Sequence, residues 1–127
     1  MKLLTARDVE LLHMQIIDAS GGSHGTRNAG RIEAAVATAQ QTAFGQEVYT
    51  SIFDKAAALL RGIALDHPFI DGNKRTAVMS ALLLLNLNDH DTSGLTDTEL
   101  EDFAVSVVTN KLDVPQIAEW LEAHTRK

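Results

Sequence analysis

The sequence contains no cysteine among its 127 residues. Disulfides, thiolate metal sites and cysteine nucleophiles are therefore excluded. Aromatic residues make up only 5% of the chain, whereas alanine and leucine are abundant and 45% of all residues are hydrophobic. This composition favours one core of aliphatic side chains carried on helices, so we expect a single all-α domain that spans residues 1–127.

Long apolar runs and clustered positive charge are also missing. The longest apolar run, "AVMSALLLLNL", is too short to cross a bilayer, and the amino-terminal segment becomes charged too early for a signal peptide. The net charge is -6, and the basic residues are scattered along the chain. We therefore expect a cytoplasmic protein that contacts neither a membrane nor nucleic acid directly.

Capping patterns and apolar periodicity predict six helices. Thr5 with Asp8, and Thr96 with Glu99, have the spacing of capping boxes, and the apolar residues that follow recur at three- and four-residue steps. The helix after Lys74 is apolar almost all round, which predicts a buried central helix. The segment "TAFGQEVYTS" has no helical period and predicts an exposed loop or a short hairpin. The predicted helices run from Thr5 to about Ser20, from an Asn28 cap to near Ala43, from Ser51 to near Asp66, from Lys74 to about Leu87, after Thr96, and after an Asp113 cap.

The stretch "HPFIDGNKRTA", which starts at His67, separates the third and fourth predicted helices. The backbone N–H groups near Gly72 to Arg75 have no intrahelical acceptors, and the helix dipole places partial positive charge at the same end. Lys74 and Arg75 add two full charges, and Gly72 lets a ligand approach the main chain. These features predict a site for phosphate oxygens, to which Asn73 can also donate.

His67 and Asp71 add reactive groups beside this site. An imidazole can accept a proton from a hydroxyl at neutral pH, and a carboxylate suits Mg²⁺ that is also bound by substrate phosphates. Together they indicate phosphoryl-type transfer. Taken singly, each residue has an ordinary structural explanation: a hydrogen-bonded histidine, a turn aspartate, and, for Lys74 and Arg75, a solvated first turn. The last explanation is opposed by the helix dipole, because cations are unfavourable at the amino end.

The stretch resembles the signature of the Fic/Doc superfamily, and its form H-x-F-x-D-x-N-K-R resembles the Doc (death-on-curing) branch. The segments "LLHMQIIDASGGSHGTRNAGRIEAAV" and "KLDVPQIAEWLEAH" are also similar to parts of Doc proteins. The resemblance implies an all-α, Fic-type helical bundle in which "TAFGQEVYTS" is a flap that holds a target segment. It implies His67 as the base, Asp71 as the Mg²⁺ ligand, a catalytic Lys74, and a nucleotide site for ATP formed by Gly72, Asn73, Lys74 and Arg75.

Two departures from the Fic pattern bear on the reaction. Lys74 stands where Fic adenylyltransferases have a second glycine, and Val78 stands where they have a second arginine. Both changes affect the pocket for the outer phosphates. The Doc branch then implies a toxin that transfers the γ-phosphate of ATP to a threonine of elongation factor Tu and so arrests translation. The alternatives are AMP transfer to a protein hydroxyl and a non-catalytic helical module that binds a nucleotide or a partner.

Inhibition is expected to come from another chain. The self-inhibitory Fic motif needs a glutamate followed by glycine or asparagine, and the sequence has none. The resemblance implies a Phd-type antitoxin whose carboxy-terminal segment folds on the toxin. The remaining histidines lack metal-ligand spacing; His13 is expected to be partly buried with a hydrogen-bond partner. The side chains expected to serve only packing or the surface are His13, His24, His90, His124, Arg27 and Trp120.

Overall fold

The structure is a computed structural model that describes residues 1–125, and in that range it contains six α-helices and one small hairpin. The predicted all-α helical bundle is therefore confirmed. The elements are α1 (Ala6–Ser20), α2 (Ala29–Ala39), β1 (Thr42–Ala43), β2 (Gln46–Glu47), α3 (Ile52–Asp66), α4 (Asn73–Leu87), α5 (Asp97–Thr109) and α6 (Val114–His124). No helix in the described part of the chain is both long and apolar enough to span a bilayer.

Side-chain caps fix the starts of α1, α5 and α6. The Thr5 hydroxyl accepts a hydrogen bond from the Asp8 backbone N–H at 3.2 Å, and the Asp8 carboxylate accepts one from the Thr5 N–H at 2.8 Å. The predicted box at Thr96 is formed in the same way, and Asp113 caps α6. Each cap contributes about 1 kcal/mol to the local helix. These local signals explain why the predicted starts are correct.

α2 starts at the predicted N-cap residue, but its side-chain cap is missing and its end differs from prediction. Asn28 stands at the N-cap position, but its side chain makes no capping hydrogen bond. Its backbone N–H instead donates to the carbonyl of Pro68 at 3.0 Å, so a distant segment fixes this end of the helix. At the other end α2 stops at Ala39 rather than near Ala43, because residues 42–43 already belong to β1.

The core lies between α3 and α4. α3 packs against α2, α4, α5 and α6, so it is as central as α4, the helix that was predicted to occupy the middle. The close approach of α2 and α3 depends on small residues, since a Cβ added to Gly62 would lie 3.0 Å from the Cβ of Ala35. Fully buried side chains from the two central helices include Ala56, Leu60, Ile63, Ala77, Ala81 and Leu85.

The segment between α2 and α3 is a two-stranded antiparallel hairpin, the second of the two predicted possibilities. Ala43 pairs with Gln46, so the turn consists of Phe44 and Gly45 alone. Both turn residues have positive φ, 53° and 78°, which is the backbone geometry that matches the twist of short hairpins. Glycine adopts it readily, whereas phenylalanine does so at a cost, and the Phe44 ring is fully exposed.

A buried lysine connects this hairpin to the bundle. Lys55 on α3 is only 1% exposed, and its Nζ donates to Oε1 of Glu47 on β2 at 3.2 Å. A buried ammonium is costly unless it has a charged partner. The Lys55–Glu47 pair therefore ties the position of the exposed hairpin to the interior of the protein.

Candidate active site

The loop between α3 and α4 begins with an unusual backbone conformation at His67. This residue has φ 49° and ψ 60°, in the left-handed region, and its N–H still donates to the Ile63 carbonyl at 3.3 Å. Pro68 disfavours right-handed helical geometry at the preceding residue, so the chain leaves the helix where the sequence predicted. The His67 side chain is partly exposed and has no hydrogen-bond partner within residues 1–125.

A second loop, residues 21–28, holds the first half of the motif in place. The Ile70 N–H donates to the Gly25 carbonyl at 3.1 Å, and the Arg27 N–H donates to the Pro68 carbonyl at 2.7 Å. Thr26 and Phe69 form an isolated antiparallel bridge between the two loops. The sequence itself gives no sign that this glycine-rich loop pairs with the motif.

The Asn73 side chain closes the motif loop on itself. Its Oδ1 accepts a hydrogen bond from the Phe69 N–H at 2.9 Å, and its Nδ2 donates to the Phe69 carbonyl at 3.0 Å. An asparagine amide has two N–H donors, so one remains for a ligand. The predicted contact of Asn73 with a nucleotide stays a prediction, and the structure assigns its side chain a definite role in shaping the loop.

Two backbone amides orient the Asp71 carboxylate. Oδ1 accepts from the Gly72 N–H at 2.9 Å, and Oδ2 accepts from the Ser23 N–H at 3.1 Å. Gly22 is required beside it, because a Cβ added there would lie 2.6 Å from Oδ2. Asp71 is otherwise exposed, so its remaining lone pairs face solvent. Among residues 1–125 no group of three or more His, Asp or Glu side chains could hold a metal by itself.

The amino end of α4 presents three free backbone amides. Gly72 is the N-cap residue with φ 76°, it supplies no side-chain cap, and the first helical bond runs from the Thr76 N–H to its carbonyl at 2.9 Å. The N–H groups of Asn73, Lys74 and Arg75 therefore have no acceptor within the described chain. Free amides at the positive end of a helix dipole form an anion site.

The motif residues open onto one pocket of about 780 Å³. This volume lies in the usual range for small-molecule sites. His67, Asp71 and the first turn of α4 line it together with one face of α1 and one face of α5. One face of α4 therefore borders the pocket, whereas another face packs against α3. The apolar lining side chains outside the motif are Ile16, Ile17, Val78, Met79, Leu100, Ala104 and Val105.

The positive charges of Lys74 and Arg75 at the pocket are not neutralised by ion pairs within residues 1–125. Lys74 and Arg75 are exposed, and neither forms an ion pair or side-chain hydrogen bond within residues 1–125. Asp97 and Glu101 from α5 line the same pocket, a feature that the sequence did not reveal because α5 was recognised only by its apolar face. The two cations therefore remain available to a bound anion, at the same helix end as the free amides.

The structure brings the predicted site residues together, and it adds His13, which the sequence predicts to serve only packing. His13 is only 2% exposed, so it is buried more completely than predicted, and its Nε2 lies 2.8 Å from the Asp71 carbonyl, which supplies the expected hydrogen-bond partner. It lies on the buried face of α1 with Val9 and Ile17. Its partner could not be identified from the sequence, because Asp71 lies 58 positions further along the chain.

Comparison with known proteins gives matches that include this site. The model of the Fic/DOC family matches residues 3–85. The chain is 40% identical over 101 residues to a protein named Toxin Doc from Mycolicibacterium smegmatis, covering 79% of this chain and 78% of that protein. It is 33% identical over 121 residues to a protein named Protein kinase doc from Escherichia phage P1, covering 95% of this chain and 94% of that protein.

Proposed function

The chain belongs to the Fic/DOC family, and from this premise we propose that it is a toxin that transfers the γ-phosphate of ATP to a threonine of elongation factor Tu and so arrests translation. It is a transferase of the kinase type, like its relative named a protein kinase. ATP is the phosphate donor and Mg²⁺ the cofactor in this proposal.

One observation carries the proposal: the α4 amides and the His67 imidazole, none of which has a partner within residues 1–125, lie in the same pocket as the Asp71 carboxylate. The amides and the unpaired Lys74 and Arg75 suit the β- and γ-phosphate oxygens, because charge-assisted hydrogen bonds to phosphate are short and strong. The apolar walls supplied by α1 and α5 suit the rest of a nucleotide.

The chain's own residues then act on the target hydroxyl. His67 accepts the hydroxyl proton while the hydroxyl oxygen forms a bond to the γ-phosphorus. The bond between that phosphorus and the β,γ-bridging oxygen breaks, so ADP leaves and the target carries the phosphate. Lys74 stabilises the charge that develops on the phosphate oxygens, and the amides at Asn73 to Arg75 hold the phosphates in line.

The carboxylate of Asp71 fits the role of Mg²⁺ ligand. Each oxygen accepts one backbone N–H, which fixes its direction and leaves further lone pairs exposed. Mg²⁺ commonly takes only one or two carboxylates and completes its shell with phosphates and water. When bound, the ion would neutralise phosphate charge. Only a glycine at position 22 leaves space for Oδ2, which suits a carboxylate that is held in one orientation.

The exposed hairpin suits the delivery of the target. All four paired residues of β1 and β2 are exposed, so an edge of the hairpin is open to an extended segment of another protein. The Lys55–Glu47 pair keeps that edge at a fixed distance from the bundle. A Phd-type antitoxin is the proposed inhibitory partner, and its co-expression should relieve growth arrest caused by this protein.

The test uses purified protein, Mg²⁺ and elongation factor Tu with ATP labelled at the γ- or the α-phosphate. We expect transfer of γ-label only, and a loss of about 10²- to 10⁴-fold in His67→Ala. His124→Ala is the matched control, because this histidine stacks on Trp120 and does not line the pocket. Transfer of α-label would instead establish nucleotidyl transfer, and bound ATP without any transfer would establish a binding module.

A further inference from the structure

His13 on α1 makes two contacts with the motif loop. Its ring stacks on the Phe69 ring, with centroids 3.8 Å apart and planes inclined by 4°. Its Nε2 lies 2.8 Å from the Asp71 carbonyl oxygen. A carbonyl can only accept, so Nε2 carries the proton and donates. The His13 side chain thus contacts both the buried Phe69 and Asp71.

The hydrogen bond from His13 affects the anion site because its acceptor is the Asp71 carbonyl, which lies directly before α4. In a continuous helix the Asp71 carbonyl would accept from the N–H four residues later, that of Arg75. Gly72, in the left-handed conformation, turns the chain here, and the Asp71 carbonyl is bonded by His13 instead. The Arg75 N–H consequently stays free, together with those of Asn73 and Lys74.

The same contact limits how far Asp71 can move. Its carbonyl is held by His13, and its carboxylate is held by the N–H groups of Ser23 and Gly72. Without the His13 donor, the Asp71 carbonyl next to the free amides of α4 would lose its hydrogen-bond partner. The main chain at Asp71 could then rotate, and the carboxylate would rotate with it.

We propose that His13 is a positioning residue for the active site: its Nε2–H and its stacked ring hold the motif loop so that the Asp71 carboxylate and the three free amides of α4 face the same pocket. The identification of the anion as the phosphates of ATP rests on the proposed function. The geometric role of His13 does not, so the two can fail separately.

Two substitutions separate the hydrogen bond from the packing. His13→Gln can present an amide N–H near the place of Nε2 but lacks the ring, whereas His13→Phe keeps a ring to stack on Phe69 but cannot donate. If His13 only fills the core, the phenylalanine variant should be the milder one. If it positions the loop, the glutamine variant should be the milder one for the site, whatever the order of their melting temperatures.

The first measurement is amide hydrogen exchange at Ser23 and Gly72, the two donors to the Asp71 carboxylate. We expect exchange about 10-fold faster or more in His13→Phe, and within about a factor of three of wild type in His13→Gln. Equal protection of both amides in wild type and His13→Phe would overturn the proposal. So would acceleration that follows the melting temperatures of the two variants rather than the presence of a donor.

The second measurement is phosphate transfer, with kcat and the Mg²⁺ requirement determined separately. We expect His13→Phe to need about 10-fold more Mg²⁺ and to lose kcat, and His13→Gln to retain both within about a factor of three. Equal losses of kcat in the two variants would contradict the positioning role. If wild-type protein transfers no phosphate at all, the proposed function fails, and hydrogen exchange still decides the role of His13.

Discussion

The substitution Gly22→Ala should damage the active site by displacing one carboxylate oxygen. A Cβ at this position would lie 2.6 Å from Oδ2 of Asp71 and 3.3 Å from Cδ1 of Ile17. To reach ordinary van der Waals contact at 3.4 Å, the oxygen would have to retreat by about 0.8 Å. Its hydrogen bond from the Ser23 N–H is already 3.1 Å long, so that bond would break.

The magnitude follows from comparison with Gly21→Ala. Both glycines have positive φ, 85° at Gly21 and 108° at Gly22, so both variants bear a backbone cost of about 1–3 kcal/mol. An added Cβ at Gly21 meets nothing within 4 Å and points into open space at the pocket margin. Only Gly22→Ala also loses a hydrogen bond to a solvent-exposed carboxylate, which adds about 1 kcal/mol and lowers the melting temperature by about a further 4 °C.

The assay compares the two variants in stability and in Mg²⁺ dependence. Gly22→Ala should require about 10- to 100-fold more Mg²⁺ for phosphate transfer, because the carboxylate is the proposed ligand and has lost its orientation. Gly21→Ala should melt lower than wild type and keep its Mg²⁺ requirement. Equal shifts of the Mg²⁺ requirement in the two variants, or an unchanged requirement in Gly22→Ala, would refute the proposed dependence of Mg²⁺ binding on the orientation of Asp71.

Three further changes test other parts of the structure. Asn73→Ala removes both hydrogen bonds to Phe69, and thermal unfolding should show a loss of about 1–3 kcal/mol; an unchanged melting temperature would mean that this contact does not stabilise the loop. Glu47→Ala strands the buried ammonium of Lys55, so in urea unfolding it should cost about 1 kcal/mol more than Lys55→Met, which removes the charge itself; the reverse order would contradict burial of the ammonium. Phe44→Asn should stabilise the hairpin by about 0.5 kcal/mol, because asparagine tolerates positive φ better, and a lowered melting temperature would argue that the exposed ring packs on something.

The helical fold was predictable because its determinants are local. The capping boxes at Thr5 and Thr96 lie within four residues of sequence, and the apolar periodicity of each helix is read from a short window. Two features of α2 were not predicted, the missing side-chain cap at Asn28 and the end at Ala39, and they have a different origin. Its first residue is fixed by a hydrogen bond to the Pro68 carbonyl, and its last turn gives way to a strand that pairs across a two-residue turn. Tertiary contacts decided both ends.

The same distinction applies to the candidate site. His67, Asp71 and the first turn of α4 lie in one short stretch of the sequence, so their convergence on one helix end could be inferred from the stretch itself. The groups that orient them, His13 and the Ser23 N–H, come from segments 58 and 48 residues earlier than Asp71. A single sequence has no local feature that records such a pairing. Histidine on a buried helix face indicates only that a partner exists.

The long span of these contacts has a consequence during synthesis of the chain on a ribosome. α1 and the glycine loop emerge first, but the residues they hold, and the α5 face that completes the pocket, emerge much later. An unfinished or clipped chain that ends before α4 has no helix end to receive an anion. The complete pocket can therefore form only after α5 has emerged, although the segments that orient the motif loop are made first.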